Sequence, residues 1–310
     1  MEQSDFKINT SIQLLRTLDQ CSIAETFSNF INTQGHLLSI HKEKNRFDIL
    51  QDDFSSIGMW KVVKYPGNYE LKEDDVIKLG RETLIVKKIC GKFPGKNFIV
   101  DVSPSPSEKC CKICCSDENW AKNPLISLCK CSGSMKYTHY ICLKNWLKLK
   151  VTCNSIGKVS TYMWNKFVCE VCKEALPDFF SYNGEVLPLV EIEYPSGPYV
   201  LLEDTKEGRQ TLYVIDIDEN QKVLIGREST CEIRLNDISV SRVHSIITFK
   251  DNKFCLLDNK SKFGTLVKMC KKVSLGQGEL ANIQVGRTLI RMKVMKPWKC
   301  CNAKKVVPEE

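Results

Sequence analysis

Four pairs of metal-binding side chains between residues 110 and 177 constrain this chain more than any other feature of its sequence. Three pairs have two residues between their members, and one pair has a single residue. The pairs are Cys111 with Cys114, Cys129 with Cys131, His139 with Cys142, and Cys169 with Cys172. Zn²⁺ takes four sulfur or nitrogen ligands in a tetrahedron, and a two-residue gap lets one tight turn present both side chains to one ion. Eight such ligands predict two filled zinc sites, so the metal would be structural and not hydrolytic.

The other cysteines and the composition are consistent with a metal that supports folding. The chain has 17 cysteines among 310 residues, which would indicate disulfides in a secreted protein but metal binding in a reducing compartment. Its first residues, MEQSDFKINT, lack the basic and apolar regions of a secretory signal. The loops between the pairs are rich in Lys, Ser and Asn, so zinc would supply their folding free energy. Five cysteines stand singly and are predicted to be small buried hydrophobes: Cys21, Cys90, Cys231, Cys255 and Cys270.

The order of the ligands resembles that of the RING-variant (RING-CH) zinc finger. One residue separates the third and fourth ligands, seven precede the His, and the segments CKIC, LISLCKCSGSMKYTH, CLKNWL and CEVCK agree. The PHD finger shares the order, but it spaces those two ligands more widely and has Trp at the position of Phe167. The resemblance implies a cross-brace with two zinc ions, one on Cys111, Cys114, His139 and Cys142 and one on Cys129, Cys131, Cys169 and Cys172. Cys110 and Cys115 do not preserve the two-residue gap, and Cys153 has no pairing partner.

The resemblance also implies a docking surface for a ubiquitin-conjugating enzyme and no catalytic nucleophile. The matching positions are Ile113 inside the first pair, Trp146 on the short helix after the His, and Lys173 after the last ligand. Leu143, Trp146 and Leu147 share one helix face, so packing of the small core is the alternative for them and the preferred one for Leu147. Lys173 could equally be a solvated surface residue. Exposure of Ile113 and Trp146 beside each other would favour docking, and burial of both would favour a scaffold.

The last hundred residues are a succession of short β-type runs. They are TLYVID, KVLIGR, EIRL, HSIITF, KFCLLD, GTLVK and TLIRMKVM, separated by turn residues. Many short strands at this spacing predict a β-sandwich. The motifs IGRE at Ile225, SRVHSIITF at Ser241 and LLDNKSKFGTLV at Leu256 resemble those of the forkhead-associated (FHA) domain, a phosphothreonine-binding sandwich.

The resemblance to FHA domains implies a phosphopeptide site at four residues. Arg227 and Ser241 would donate hydrogen bonds to the phosphate, and Arg242 and Lys262 would face the bound peptide. His244 is expected to brace the binding loops by hydrogen bonding and not to touch the ligand.

Other FHA motif positions are expected to be architectural. Gly226 would allow a tight turn at the end of a strand, and Gly264 and Thr265 would shape a loop. Phe263 departs from the pattern, because many FHA domains have an Asn there that bonds the peptide backbone. The phosphate pocket would survive this change, and the sequence preference after the phosphothreonine would differ.

The first 102 residues predict a mixed α/β domain. Apolar residues with helical spacing from Ile8 to Ile31 predict a helix, and the β-type runs IGMWKVV, DVIKLG and ETLIVKKI follow. The segment DVIKLGRETLIVK from Asp75 resembles ANIQVGRTLIRMK from Ala281 if one residue is inserted. Either this echo arose by chance or the N-terminal domain is a degenerate FHA-like sandwich. That domain lacks a Ser-x-x-His motif, so no phosphate site is predicted in it.

The sequence therefore predicts a multidomain, mainly β protein with a small α+β zinc module. The predicted parts are an N-terminal domain at 1–102, a Pro/Ser linker at 103–109, a RING-variant finger at 110–177, a connector at 178–195, an FHA domain at 196–297 and a tail at 298–310.

Charge and hydropathy narrow the expected partners. The net charge of +8 favours acidic or phosphorylated partners, but no basic block is interleaved with aromatics, which argues against nucleic acid. No stretch approaches about 18 apolar residues, so no membrane span is predicted and the chain is expected in the cytoplasm or nucleus.

Two functions compete: a ubiquitin-protein ligase that recruits phosphothreonine-containing proteins, and a non-catalytic phosphothreonine-binding adaptor with a structural zinc module. Filled zinc sites argue against a third, a zinc hydrolase.

Overall fold

The structure, a computed structural model, describes most of the chain from residue 12 to residue 295. The described residues are 12–16, 21–25, 36–44, 46–50, 58–64, 67–91, 99–102, 109–118, 120, 122–206, 208–269 and 272–295. The predicted tail and the predicted linker, apart from Lys109, lie outside them.

The described residues are mainly β-strand with one α-helix, which confirms the predicted mainly β class. The strands before the zinc module are β1 (Ile12–Arg16), β2 (Cys21–Glu25), β3 (His36–Glu43), β4 (Arg46–Leu50), β5 (Met59–Val63), β6 (Asn68–Glu70), β7 (Val76–Leu79), β8 (Glu82–Ile89) and β9 (Ile99–Val102). The central part contains β10 (Leu125–Ile126), a 3-10 helix (Gly133–Met135), β11 (Thr138–His139), α1 (Tyr140–Lys148), β12 (Thr152–Ile156), β13 (Val159–Asn165), β14 (Phe179–Tyr182) and β15 (Glu185–Pro188). The last part contains β16 (Tyr199–Lys206), β17 (Arg209–Asp216), β18 (Lys222–Gly226), β19 (Ile233–Arg234), β20 (Ser245–Lys250), β21 (Lys253–Asp258), β22 (Thr265–Lys268), β23 (Lys272–Leu275), β24 (Leu280–Val285) and β25 (Thr288–Lys293).

The chain divides into two compact units whose limits do not follow the order of the sequence. Unit 1 consists of Met1–Val62 and Leu266–Glu310, and unit 2 of Val63–Thr265. The zinc module and most of the FHA-like segment thus lie in unit 2, whereas the last strands of that segment lie in unit 1.

Unit 1 is built from both ends of the chain. One sheet has the strand order β2-β1-β3-β4-β23, and β24 pairs with β5 and β25. β23 lies antiparallel to β4, with Val273 opposite Ile49, and β24 lies antiparallel to β5, with Ile283 opposite Lys61. The core contains fully buried side chains from both segments, including Leu38, Ile49 and Ile283.

Unit 2 contains a β-sandwich that is completed by strands from before the zinc module. One sheet includes the order β12-β13-β17-β16-β8-β7, and the other has the order β19-β18-β20-β21-β6. β8 lies antiparallel to β16, with Val86 opposite Leu202, and both side chains are fully buried. β6 lies antiparallel to β21, with Tyr69 opposite Leu256. Residues 68–89 therefore belong to the same fold as residues 199–265.

The two segments that echo each other in sequence are both two-stranded hairpins, one in each unit. β7–β8 turns at Gly80-Arg81, and β24–β25 turns at Gly286-Arg287. Gly80 and Gly286 have φ of 62° and 57°, as a glycine at the first central position of a two-residue hairpin turn requires. The first hairpin lies in unit 2 with most of the FHA-like segment, and the second lies in unit 1 with the first 62 residues, so the units cut across the predicted domains at 1–102 and 196–297. A common origin of the two segments stays a prediction.

The predicted N-terminal helix is wrong at the residues that the structure describes. Residues 12–16 and 21–25 are the paired strands β1 and β2, with Leu14 opposite Ile23, and β1 also pairs with β3. Ile12 and Leu14 have the two-residue spacing of a strand as well as a place in a helical pattern, and pairing with β3 selects the strand. The rest of the predicted helix lies outside the described residues.

The long segment between Cys142 and Cys169 joins the zinc module to the sandwich. It forms the hairpin β12–β13, and β13 pairs with β17 from Val159 opposite Ile215 to Asn165 opposite Arg209. Buried side chains of the two parts also form one core cluster, which includes Leu147 and Trp164 together with Leu201 and Leu212. The module and the sandwich are therefore packed as one body within unit 2.

The single cysteines are only partly as predicted. Cys231 is buried and Cys255 partly buried, whereas Cys90 is exposed, and its sulfur lies 3.6 Å from the carbonyl oxygen of Tyr199. The prediction of a buried Cys90 is therefore wrong. The side chains of Cys21 and Cys270 lie outside the described residues.

Candidate metal centres and anion-binding pocket

The first and last cysteine pairs lie in loops with the same backbone geometry. The N–H of Cys115 donates to the carbonyl oxygen of Cys111 at 2.8 Å, and the N–H of Lys173 donates to that of Cys169 at 2.9 Å. Cys115 and Lys173, each directly after the second cysteine of a pair, have φ of 60° and 59°. This turn lets two cysteines with a two-residue gap present their sulfur atoms to one ion.

His139 is positioned by strand β11 and oriented by a backbone carbonyl. It lies opposite Leu125 of β10, and its Nε2 is 2.6 Å from the carbonyl oxygen of Glu118. Its Nδ1 faces the sulfur atoms of Cys114 at 3.2 Å and Cys142 at 3.9 Å. A hydrogen on Nε2, donated to Glu118, leaves Nδ1 unprotonated as a metal ligand must be.

The structure brings the eight predicted ligands together in two sets of four. Within each set the four ligand atoms all lie within 4.8 Å of one another. Zinc–sulfur bonds of about 2.3 Å place the sulfur atoms of a tetrahedral site about 3.8 Å apart, and Cys131 Sγ lies 3.7 Å from Cys169 Sγ. The sets are Cys111, Cys114, His139 and Cys142, and Cys129, Cys131, Cys169 and Cys172. The pairs alternate along the chain as in a cross-brace, and the donor chemistry and distances fit Zn²⁺. Neither set includes the exposed Cys110, Cys115 and Cys153.

Backbone N–H groups favour the thiolate at cysteines of both sets. Burial raises the pKa of Cys111, but hydrogen bonds from the N–H groups of His139, Cys114 and Ile113 outweigh burial and lower it to about 7. Burial likewise raises the pKa of Cys169, and the N–H groups of neighbouring residues lower it to about 6.

At Cys131 and Cys142 burial works against ionisation of the thiol. Burial, and the neighbouring sulfur atoms, raise the pKa of Cys131 and of Cys142 to about 12. Lys112 supplies part of the compensating charge in the four-cysteine set, because its Nζ lies 4.0 Å from Cys129 Sγ and 3.9 Å from Cys169 Sγ. A divalent metal would supply the rest, since several buried thiolates cannot persist together without a counter-charge.

An apolar groove lies beside the zinc module and is bordered by two of the predicted docking residues. Its cavity is about 180 Å³, and its walls include Ile113, Trp146 and Val171. Ile113 is 44% exposed and Val171 56%. Trp146 is partly buried, and Lys150 Nζ lies 3.7 Å from the centre of its ring.

The other two residues of the α1 face, Leu143 and Leu147, differ from Lys173 in their exposure to solvent. Leu143 and Leu147 are buried in the core, as preferred for Leu147, whereas Lys173 is exposed. The groove is therefore open at Ile113 and partly covered at Trp146.

The strand ends of the sandwich form a second, polar cavity of about 810 Å³. The structure brings together in its walls all four predicted phosphopeptide residues: Arg227, Ser241, Arg242 and Lys262. The N–H of Arg227 donates to the carbonyl oxygen of Ser241 at 3.2 Å, so the two loops are joined. A Cβ on Gly226 would overlap the carbonyl oxygen of Arg242. Gly226 is thus required by close approach of two backbones, and its φ is not among the positive ones.

His244 braces the loops of this cavity, which confirms its predicted structural role. It is fully buried, its Nδ1 accepts the N–H of Ser241 at 3.0 Å, and its Nε2 lies 3.2 Å from the carbonyl oxygen of Gly264. Thr265 is also buried, and its hydroxyl donates to Asp258 at 2.8 Å.

The polar groups of the cavity remain able to bind an anion. The hydroxyl of Ser241 accepts the N–H of Lys262 at 3.1 Å, and a hydroxyl carries a donor besides its acceptor positions. Arg227, Arg242 and Lys262 are exposed, so their cationic groups can reach a ligand. Phe263 lines the same cavity, is 57% exposed, and has Lys262 Nζ 5.3 Å from its ring centre.

Sequence reasoning missed two cations in this cavity, Lys260 and Arg81, and Arg81 comes from a distant part of the chain. Arg81 lies in the turn of the β7–β8 hairpin, in the segment where no phosphate site was predicted. The Gly-Arg echo marked this turn in the sequence, but only the pairing of β8 with β16 explains why it lies beside the FHA motifs.

Comparisons with known proteins match the two segments of the chain that carry these sites. The model of the RING-variant domain matches residues 111–172, and that of the FHA domain matches residues 223–287. The chain is 40% identical over 67 residues to the probable E3 ubiquitin-protein ligase MARCHF10 of Homo sapiens, which is 21% of this chain and 7% of that protein. It is 37% identical over 82 residues to the E3 ubiquitin-protein ligase marc-3 of Caenorhabditis elegans, 24% of this chain and 16% of that protein.

These relatives match only over a short part of their length. A third, the E3 ubiquitin-protein ligase MARCHF1 of Homo sapiens, is 29% identical over 105 residues, a third (33%) of each chain. No solved structure matches this chain. Among the described residues, no helix has the length and apolar character to cross a bilayer. The chain therefore contains a RING-variant domain at residues 111–172 and an FHA domain at residues 223–287.

Proposed function

We propose that this protein is a RING-type ubiquitin-protein ligase whose FHA domain recruits phosphothreonine-containing proteins. The observation that carries the proposal is the groove bordered by Ile113 and Trp146, which adjoins the cross-braced cysteine sets in a segment similar to named ligases. Without a nucleophile of its own, such a ligase acts by holding a ubiquitin-charged conjugating enzyme where a substrate lysine can attack the thioester.

Two zinc ions are proposed as structural cofactors. One would be held by Cys111, Cys114, His139 and Cys142, and the other by Cys129, Cys131, Cys169 and Cys172. With four protein ligands each, they would leave no position for a substrate, so their role is to hold the groove in shape.

Three residues are proposed to contact the conjugating enzyme. Ile113 and Trp146 would supply the apolar contact, and Lys173 a hydrogen-bonding cation next to the last ligand. The exposure of Ile113 and the open side of the groove support this role.

Four residues are proposed to contact the phosphorylated partner. Arg227 would bind the phosphate with its fork of donors and Ser241 would add a hydroxyl donor, while Arg242 and Lys262 would face the peptide on either side. Their presence in one cavity whose loops are braced by the buried His244 supports the assignment.

The packing of the two parts supports a joint function. The zinc module and the sandwich share strand pairing between β13 and β17 and one apolar core. A partner held in the cavity and an enzyme held at the groove would therefore be presented by one compact unit.

The burial of part of Trp146 under Lys150 favours the competing function, a phosphothreonine-binding adaptor without ligase activity. In that case the zinc module would be a scaffold, and the cavity at Arg227 would be the functional centre.

Autoubiquitination of purified, zinc-loaded protein with a panel of conjugating enzymes separates the two functions. We expect ubiquitin ladders in the wild type and their loss in the Ile113→Ala, Trp146→Ala double variant. Arg227→Ala is the matched control, because it alters the cavity and should leave the ladders unchanged. Absence of ladders with every enzyme, from protein with confirmed zinc content, would reject the ligase and leave the adaptor.

A further inference from the structure

The turn of the β7–β8 hairpin is fixed against a loop of the FHA cavity. The N–H of Arg81 donates to Ser239 Oγ at 2.9 Å, and the N–H of Ser239 donates to Asp237 Oδ1 at 2.7 Å. A Cβ on Gly80 would overlap Ser239, so the backbones are in close contact there. Arg81 therefore has a defined place in the cavity wall although it precedes the zinc module in sequence.

The cavity has more positive charge than one phosphate requires. The residues that line the cavity include five cations and one acidic residue, Glu228. The cations are Arg81, Arg227, Arg242, Lys260 and Lys262. A phosphothreonine carries a charge of about −1.5 to −2 at neutral pH, which three of these cations already exceed.

The negative charge of Asp237 partly offsets the positive charge of Arg81, but the cavity keeps a net positive charge. Hydrogen bonds from Ser239, and then the charges of Arg81 and Lys206, lower the pKa of Asp237. Its carboxylate is therefore ionised and already accepts two hydrogen bonds from Ser239. The guanidinium of Arg81 has five N–H donors and an exposed position, so donors remain for a ligand.

We infer that Arg81 binds a second anionic group of the ligand, a phosphate or carboxylate a few residues from the phosphothreonine. This inference rests on the proposed phosphothreonine binding and adds a selectivity that the FHA motifs do not carry. The preferred partner is thus a segment with two phosphorylated residues, or with a phosphothreonine next to an acidic one.

The chain offers a matched control in Arg287. It follows Gly286 in the echoing hairpin of unit 1, is exposed like Arg81, and carries the same charge. Removing it changes the net charge by the same amount, so a difference between the two variants reports the location of Arg81 and not the overall charge.

The test measures peptide affinity by fluorescence anisotropy with full-length, zinc-loaded protein. One peptide has a single phosphothreonine among neutral residues, a second set places one Glu at successive flanking positions, and a third set places a phosphoserine there. Each is measured with wild type, Arg81→Ala, Arg81→Lys and Arg287→Ala, and melting curves confirm that every variant is folded.

We expect at least one doubly anionic peptide to bind the wild type about threefold to tenfold more tightly than the singly phosphorylated one, since the added contact is charge-assisted but exposed. Arg81→Ala should remove that gain while changing the affinity for the singly phosphorylated peptide less than twofold. Arg81→Lys should retain part of the gain because it keeps the charge without the fork of donors, and Arg287→Ala should retain all of it. The Glu and phosphoserine sets show which anion is preferred.

Two failures are distinguishable. If the wild type does not bind the singly phosphorylated peptide, or binds it equally with Arg227→Ala, the proposed phosphothreonine site is rejected. If that peptide binds through Arg227 but every second anion gains less than threefold, or Arg81→Ala and Arg287→Ala behave alike, the inference about Arg81 is overturned and the phosphothreonine site stands.

Discussion

The zinc module and the cationic cavity of unit 2 are assembled in opposite ways. The eight candidate zinc ligands lie within residues 111–172, and the two members of each pair are separated by at most two residues. The cavity combines loops at residues 227–263 with Arg81. Arg81 lies beside these loops because β8 pairs with β16, and the whole zinc module separates those two strands in sequence. A site made of local pairs can be recognised from spacing, whereas a site made by distant strands depends on pairing that spacing does not encode.

The two sites nevertheless depend on one core. Cys131 and Cys169 are buried in the same cluster as Leu201 and Leu212 of the sandwich. Metal binding by the four-cysteine set should therefore influence the stability of the sandwich that carries the cavity.

Loss of one buried zinc ligand should have the largest effect. Cys131→Ala leaves the four-cysteine set incomplete, and structural zinc sites contribute about 10 kcal/mol or more to small zinc domains. We expect the variant to bind fewer than the two zinc ions proposed per chain and to lose the near-UV circular dichroism of the module. Because the core is shared, the melting transition of the sandwich should also fall. Metal analysis and circular dichroism measure both effects.

Cys110→Ser is the control for this variant. Cys110 lies beside a ligand in sequence, but it is exposed and outside both sets. Unchanged zinc content and melting in Cys131→Ala, or equal losses in both variants, would contradict the two-set assignment. Loss of the module with an unaltered sandwich would show that the shared core does not couple them.

The features that depend on residues close together in the sequence, or on a known motif, could be predicted from the sequence. The spacing of the ligand pairs identified the eight ligands, and the resemblance to the RING-variant finger divided them into two sets. The succession of β-type runs identified β17 to β21, and the resemblance to FHA domains identified the brace at His244. In each case the residues that interact are close in sequence or belong to a motif, so local geometry and chemistry are sufficient.

The features that the sequence did not reveal depend on tertiary pairing. The segment from Ile12 has both a helical and a strand-like apolar pattern, and its partner β3 decides between them. Hairpin β12–β13 lies in the long segment before Cys169, where β17 provides the pairing. In the sequence Arg81 has no feature beyond its place in a Gly-Arg turn, and only the pairing of β8 with β16 places it at the cavity.

Removal of the buried brace should have an intermediate effect on the cavity. His244→Ala leaves the N–H of Ser241 and the carbonyl of Gly264 without their partner, and each buried unpaired group costs about 1–3 kcal/mol. We expect the free energy of unfolding to fall by about 2–4 kcal/mol in urea denaturation near neutral pH. His41→Ala, at a partly buried histidine of unit 1, is the control and should have a smaller effect.

The pH dependence of this loss follows from burial. Burial lowers the pKa of His244, while the carbonyl of Gly264 and the charge of Asp258 oppose it. The unfolded chain therefore takes up a proton near its ordinary pKa of 6.5 while the folded state does not. The stabilisation by His244 is fully present above that pH and decreases as the pH falls below it. The difference between wild type and His244→Ala should thus shrink below about pH 6, and a difference that stays constant would contradict the buried neutral brace.

The smallest predicted effect tests the long-range assembly most directly. Lys253 Nζ of β21 lies 2.8 Å from Glu70 Oε2 of β6, and both side chains are about half exposed, at 55% and 47%. An exposed ion pair of this kind contributes about 0.2–1 kcal/mol and weakens with salt. A double-mutant cycle with Glu70→Gln and Lys253→Gln should show a coupling of this size in low-salt unfolding experiments.

The exposed pair Glu73–Lys88 calibrates that measurement. Its atoms lie 2.6 Å apart, and both residues belong to the short segment around β7 and β8, so its coupling does not depend on which strand β6 joins. Coupling in both pairs would support the pairing of β6 with β21. Coupling between Glu73 and Lys88 alone would argue against the pairing of β6 with β21 in solution, while the pairing of β8 with β16, on which the place of Arg81 depends, would stand.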